Sequence, residues 1–310
     1  MSPLEGIDIG WAAQMACLFE VNAEKPGNVS RRADFRDTRF EDFVVSAVAI
    51  GPAFQDAARA TVGETVLRAV RDTRRFVRTN TNLGIILLLA PLARAAGERG
   101  PERLRASVAR VLDELTADDT RKVYEAIRLA SPSGLGEVER YDVSEETVDT
   151  TLRQVMGLAR DRDSVAREYV TDFEITFGLG YETLRRAWEK GCNFSDAIVQ
   201  TFLTVLARVP DTLIARKEGQ TAAEAVSQRA GEVLAAGGCL SSRGREELVR
   251  FDRDLRDESH RMNPGTTADL VVSSLFVFLA EGRMLDKLPG LVARWSGATG
   301  LVAARGGPPR

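Results

Sequence analysis

Apolar residues recur along most of this chain at intervals of three and four, the spacing that lines one face of an α-helix. Alternating segments closed by Asn-Gly or Asp-Gly turns, the mark of strands and hairpins, are scarce. The pattern predicts an all-α protein: a single-domain, multi-helix bundle with buried apolar central helices. Trp11, Met15, Leu18 and Phe19 share one side of a first helix at 7–21. A second, at 40–60, has an almost wholly apolar middle at 43–54 and is expected at the centre of the bundle. Further helices are predicted at 65–77, 82–96, 102–115, 118–130, 144–159, 165–190, 196–207, 222–236, 243–261 and 267–281.

Gly, Pro and Asn mark the connections, and none is long or low-complexity enough to read as a domain linker. Residues 1–288 are therefore expected to form one helical domain, with a Gly-, Pro- and Arg-rich tail at 289–310 that frays. No repeat of fixed period suggests a solenoid. The longest apolar runs, 83–93 and 270–280, fall short of the roughly 20 residues of a membrane span and are expected to be core helices.

Composition narrows the chemistry. With 310 residues, 44% hydrophobic and 28% charged, the chain is neither disordered nor a disulfide scaffold. Its 42 basic and 45 acidic residues leave a net charge of −3, so no global positive field attracts nucleic acid or an anionic membrane. Any anion must be caught locally. A single histidine, His260, excludes an all-histidine metal cage, leaving carboxylates, Lys/Arg and helix termini as the working groups. Cys17, Cys192 and Cys239 are odd in number and lack CxxC spacing, as expected of reduced thiols in a cytoplasmic protein. Glu5 and Asp8, with no basic stretch ahead of an apolar one, argue against a signal peptide.

Four polar loops stand where a structural protein needs only turns. In the first, Glu20 precedes Lys25-Pro26-Gly27-Asn28, with Asp37 further on. Lys25 carries an ammonium on a rigid turn and Gly27 lets backbone N–H groups approach an anion, though the same tripeptide also serves as a plain turn. The second, Thr79-Asn80-Thr81-Asn82, opens directly into an apolar helix whose orphan N–H groups suit either a phosphate or an N-cap. A cap needs one such residue, and four stand in a row. The third, Ser131-Pro132-Ser133-Gly134-Leu135-Gly136, is a connector able to cradle phosphate. In the fourth, Asn263-Pro264-Gly265-Thr266-Thr267-Ala268-Asp269, the dipole favours a carboxylate at Asp269 whether it caps the helix or binds magnesium. His260 ahead of it reads as a surface residue. The runs containing Arg162-Asp163 and Asp211 with Arg216 read as solvated helix faces unless the fold brings them to these loops.

In this order the segments resemble the triphosphoribosyl-dephospho-CoA synthase family. The resemblance rests on Glu20-Val21 leading to Lys25-Pro26-Gly27-Asn28-Val29, Asp37 ahead of Phe43-Val44-Val45-Ser46-Ala47, Asn80-Thr81 before Gly84, and Tyr124-Glu125-Ala126-Ile127. It continues through Ser131 to Gly136, Asp142-Val143, Arg162-Asp163-Ser164-Val165-Ala166, Asp211 with Arg216, and Pro264-Gly265-Thr266-Thr267-Ala268-Asp269. It implies an all-helical enzyme that joins the ribose 5-triphosphate of ATP to the ribose 2′-hydroxyl of dephospho-CoA and releases adenine. It further implies that Lys25, Asn80 and the helix starts at Asn82 and Thr267 hold phosphates, with Gly27, Asn28, Thr81, Ser133, Gly134, Arg216 and Thr266 as further substrate contacts. Asp37 and Asp269 would hold Mg²⁺, and Glu20 or Asp163 would be the base. The implied partners are ATP and dephospho-CoA or another ribosyl acceptor, with no nucleic acid or membrane, and a homodimer is left open.

Two departures stand out. The family's Asn-Thr-His-Lys-Gly is Asn80-Thr81-Asn82-Leu83-Gly84 here, and Ser133-Gly134 replaces a Gly-Gly pair. They leave room for a related transferase with another acceptor, as in pterin-type one-carbon cofactor biosynthesis, and for a non-catalytic nucleotide-binding protein.

Overall fold

Two helices with no polar face organise the chain. Helix α5 (Leu83–Ala95) buries nearly every residue, and α15 (Gly265–Ala280) is buried without a break from Leu270 to Ala280. They pack against each other at the middle of one hydrophobic core, as their continuous apolar runs require. The structure is a computed structural model and describes residues 6–96, 101–131, 148–256 and 260–280. The segment 132–147, with Ser133 and Gly134, and the tail at 289–310 lie outside the described residues.

Around this pair stand α1 (Gly6–Asn22), α2 (Phe40–Ala49), α3 (Gly51–Gln55), α4 (Val62–Arg74), α6 (Pro101–Asp113), α7 (Ala117–Ala130), α8 (Leu152–Ala159) and α9 (Ser164–Val170). The C-terminal half adds a π-helical segment (Ile175–Tyr181), α10 (Glu182–Glu189), α11 (Phe194–Arg208), α12 (Thr212–Glu218), α13 (Gln220–Ala235) and α14 (Ser242–Leu255). Among the described residues there is no strand, only an isolated bridge between Ser30 and Ala33. The three cysteines are free thiols. No single described helix is long and apolar enough to cross a membrane.

Several boundaries differ from the periodicity, each for a local reason. The helix expected at 40–60 divides at Ile50 into α2 and α3, where Gly51-Pro52 interrupts the ladder because proline has no N–H to donate. Its apolar middle is not central: Val45 and Val48 are 38% and 56% exposed. Trp11 on α1 is likewise exposed, while Phe19 is buried. The helix expected at 144–159 starts only at Leu152, where Thr151 and Gln154 form a capping box. The one expected at 165–190 breaks where Asp172 and Phe173 adopt left-handed φ angles of 52° and 59°. The one expected at 243–261 ends at Leu255, and α12 was not expected as a helix at all.

Two buried polar groups on α9 hold α5 and the π-helical segment. Pro91 lies inside α5 and cannot donate to the carbonyl of Leu87 one turn earlier. The phenol of Tyr169 on α9, fully buried, donates to that carbonyl at 2.7 Å. Further along, the Glu168 carboxylate accepts from Ile175 N at 2.9 Å and Thr176 N at 2.8 Å, satisfying donors at the start of the π-helical segment. Burial pushes Glu168 up to about 7, with the Thr176 and Ile175 donors opposing.

Candidate functional site

Loops far apart in sequence meet around a cavity of about 650 Å³. Glu20, Asn28, Asn80, Thr81, Asn82, Asp163, Arg216, Thr266 and Asp269 all line it, so each described loop singled out in the sequence contributes. Lys25, Gly27, Asp37 and Thr267 are not among the lining residues.

Lys25 is folded inward. Its ammonium pairs with the Glu20 carboxylate at 3.1 Å and donates to the carbonyls of Glu20 and Ala23 at 2.5 and 2.9 Å. Burial pushes both members of the pair toward their neutral forms, and their mutual attraction works against that. Gly27, at φ 73°, occupies the left-handed position of the Pro-Gly turn. Its N–H already has an anion, donating to Asp252 at 2.9 Å. Asp252 also accepts from Arg256 Nε at 2.9 Å, and Arg256 donates to the carbonyl of Asn28 at 2.8 Å. The amide of Asn28 donates to Asn263 Oδ1 at 2.6 Å, which joins the first loop to the fourth. The Oδ1 of Asn28 is buried without a partner.

The helix starts around the cavity are capped by the protein's own side chains. Asn80 Oδ1 accepts from Leu83 N at 3.1 Å, while Asn82 turns away to donate to Thr73 at 3.2 Å. Thr81 and Ser46 share a hydrogen bond of 2.6 Å. Asp163 Oδ1 accepts from Val165 N and Ala166 N at 2.8 and 3.3 Å, and its Oδ2 pairs with Arg216 at 3.4 Å. Asp211 serves two helices, accepting from Leu213 N and Ile214 N on α12 and from Thr267 N and Oγ1 on α15, the last two at 2.7 and 2.8 Å. Burial raises Asp211, and those donors oppose the shift.

Asp269 projects from the first turn of α15 against the first turn of α5. A methyl built on Gly84 would lie 2.8 Å from its Cγ, so glycine is what lets the carboxylate seat there. Burial raises Asp269 well above the usual carboxylate range, reinforced by Glu20, Asp211 and Asp163 and opposed by Arg216. Among the described residues no group of three or more His, Cys, Asp or Glu side chains is arranged to hold a metal ion by itself. Asp37 is exposed on the loop before α2, in the electrostatic reach of Lys217. His260 stacks on Phe35 with ring centroids 4.1 Å apart, and its Nε2 accepts from the Arg36 N–H at 3.3 Å.

The rest of the wall escaped the sequence reading. Val123, Tyr124 and Ile127 of α7 and Leu152, Val155 and Met156 of α8 form an apolar face, flanked by Arg128 and Arg162. Their spacing is the same as that of core residues, so no local signal separates them from the core. Arg162 adjoins Asp163 and was visible only as part of a charged run.

Known proteins with similar sequence or structure all point one way. The family described as CitG, ATP:dephospho-CoA triphosphoribosyl transferase, matches residues 7–287. A Pseudomonas paraeruginosa protein assigned as a 2-(5''-triphosphoribosyl)-3'-dephosphocoenzyme-A synthase is 32% identical over 119 residues, 38% of this chain and 37% of that one. The chain thus spans little more than a third of that relative's length. An Azotobacter vinelandii protein assigned the same name is 28% identical over 269 residues, 82% of this chain and 84% of that one. A crystal structure from Archaeoglobus fulgidus, assigned as a triphosphoribosyl-dephospho-CoA synthase, superposes with a TM-score of 0.61 at 30% identity, covering 76% of this chain and 98% of that chain.

Proposed function

The chain belongs to the family of ATP:dephospho-CoA triphosphoribosyl transferases, and from that premise we propose that its cavity transfers the triphosphoribosyl group of ATP to the ribose 2′-hydroxyl of dephospho-CoA with release of adenine. The observation that carries this reading is the convergence of Glu20, Asn80, Asp163, Arg216 and Asp269 on one cavity. In the transfer, the bond from ribose C1′ to the adenine nitrogen breaks and a bond from C1′ to the acceptor oxygen forms. The acceptor loses a proton and adenine leaves carrying one.

Glu20 is the base in this scheme. Burial raises its basicity, and the pairing with Lys25 opposes that rise. Asp163 orients Arg216 toward the phosphates. The apolar face of α7 and α8 takes the adenine ring and excludes water from the oxocarbenium-like carbon. Glu20, Asp211 and Asp163 lie within electrostatic reach of Asp269, an acidic setting of the kind a divalent cation bound together with phosphate oxygens needs. Magnesium is commonly held by one or two carboxylates completed by phosphate oxygens. Asp269 and Asp163 would hold it, and when bound it would neutralise phosphate charge.

The test is chromatographic detection of adenine from ATP, Mg²⁺ and dephospho-CoA. The proposal requires adenine in step with the triphosphoribosylated product, and its loss in Asp269→Asn. Stabilisation by ATP without adenine release would instead make this a nucleotide-binding protein. Release only with a different ribosyl acceptor would reassign the acceptor.

A further inference from the structure

We propose that Phe35, backed by His260, is the platform on which the adenine of the acceptor nucleotide stacks, apart from the face that takes the adenine of ATP. This deepens the transferase reading and rests on it for the identity of the ligand. Both substrates of that reaction are adenine nucleotides, so the cavity must seat two purines. The apolar face of α7 and α8 takes one of them. Phe35, in the polar connection from α1 to α2, and Phe43 on α2 supply further apolar wall. Neither ring belongs to the hydrophobic core or packs against it. Phe35 stands half-buried between Asp34 and Arg36, both exposed, where core packing does not explain an aromatic side chain.

One face of Phe35 lies on the His260 imidazole, with ring centroids 4.1 Å apart and planes 20° from parallel. Phe35 lines the cavity and His260 does not, so the imidazole supports the ring from behind and the opposite face is turned to the ligand. The Arg36 N–H donates to Nε2 of His260 at 3.3 Å, which fixes the plane of the imidazole. A purine on Phe35 completes a stack of three planar rings, the arrangement by which aromatic side chains hold bases. The two apolar places differ in exposure, and that assigns the substrates. Val123, Ile127 and Leu152 of the α7–α8 face are buried, as suits a base whose bond is cleaved away from water. Phe35 and Phe43 are half-buried, as suits an acceptor whose remaining arm runs out to solvent. Glu20 and Phe35 both come from the wall that α1 and its connection to α2 supply, and the acceptor hydroxyl is one sugar removed from its purine.

The test is calorimetric titration of the intact protein with dephospho-CoA, with ATP, and with phosphopantetheine, which lacks the adenosine. Phe35→Ala should weaken dephospho-CoA binding ~5- to 150-fold, the span of base–aromatic stacking, and leave the affinities for ATP and phosphopantetheine at wild-type values. Phe35→Trp should keep the affinity for dephospho-CoA. His260 has a left-handed φ of 51°, which asparagine tolerates, so His260→Asn removes the supporting ring without straining the backbone. It should weaken dephospho-CoA binding by itself and add nothing in a Phe35→Ala background, whereas an equal loss in both backgrounds would overturn its supporting role. Wild-type affinity for dephospho-CoA in Phe35→Ala, an equal loss of ATP affinity, or no binding of dephospho-CoA by the wild type overturns the platform. Phe35-dependent binding of dephospho-CoA without adenine release from ATP would overturn the transferase reading and leave the platform standing. Adenine release with wild-type affinity for dephospho-CoA in Phe35→Ala would do the reverse.

Discussion

Replacing Gly84 by alanine isolates the contact between the starts of α5 and α15. The added methyl would overlap Oδ2 of Asp269 and lie 2.8 Å from its Cγ and 3.5 Å from its Cβ. Carbon atoms settle about 3.5–4.0 Å apart, so the carboxyl group must recede by at least about 1 Å, its Oδ2 furthest. Rotation about the Asp269 side chain meets that demand without moving either backbone. Alanine in place of helical glycine is worth up to ~1 kcal/mol, so fold stability should change by no more than about that amount in either direction. Activity should respond far more strongly, because a displacement of about 1 Å in a catalytic site can cost ~100-fold. Adenine release measured beside thermal melting separates the two effects. In an Asp269→Ala background the methyl has no carboxylate to displace, so there Gly84→Ala should shift the melting temperature only by its helix-propensity gain. A wild-type rate in Gly84→Ala would refute the reasoning.

Asp269→Asn should raise the melting temperature by about 2–4 °C near neutral pH, because it removes a buried charge crowded by other carboxylates, while abolishing adenine release. Tyr169→Phe leaves the Leu87 carbonyl without a donor and should cost ~1–3 kcal/mol in urea denaturation, less in a Pro91→Ala background that restores the backbone N–H. Glu168 stands at about 7 in the folded protein against 4.5 for the free group, so the folded state binds the extra proton between those values. Its contribution to stability is therefore full below the lower value and lost as pH rises through the upper one, and Glu168→Gln should flatten that part of the urea stability profile.

Much of the fold was legible because the relevant signals are local. The apolar runs of α5 and α15 mark central helices, since such a helix satisfies its backbone internally and has no side that prefers water. Polar residues at 80–82 and 263–267 mark where those helices begin. Apolarity alone misled at α2, where Val45 and Val48 remain exposed. Periodicity passed over the break at Asp172 and Phe173, where buried Phe173 adopts a left-handed φ that its residue type disfavours.

The site divides along the same line. The sequence by itself determined which residues carry chemistry: one histidine, no metal-type cysteine spacing, and carboxylates, amides and arginines gathered in loops before apolar helices. Only the tertiary structure decided what those groups face. It turned Lys25 inward onto Glu20, spent Asp211 on two helices at once, left Asp37 outside the cavity, and set Asp269 against Gly84 across 185 positions of chain. The physical reason is that capping and periodicity act within one or two turns. The field and exposure of a carboxylate depend instead on neighbours from other helices, and packing alone determines which those are.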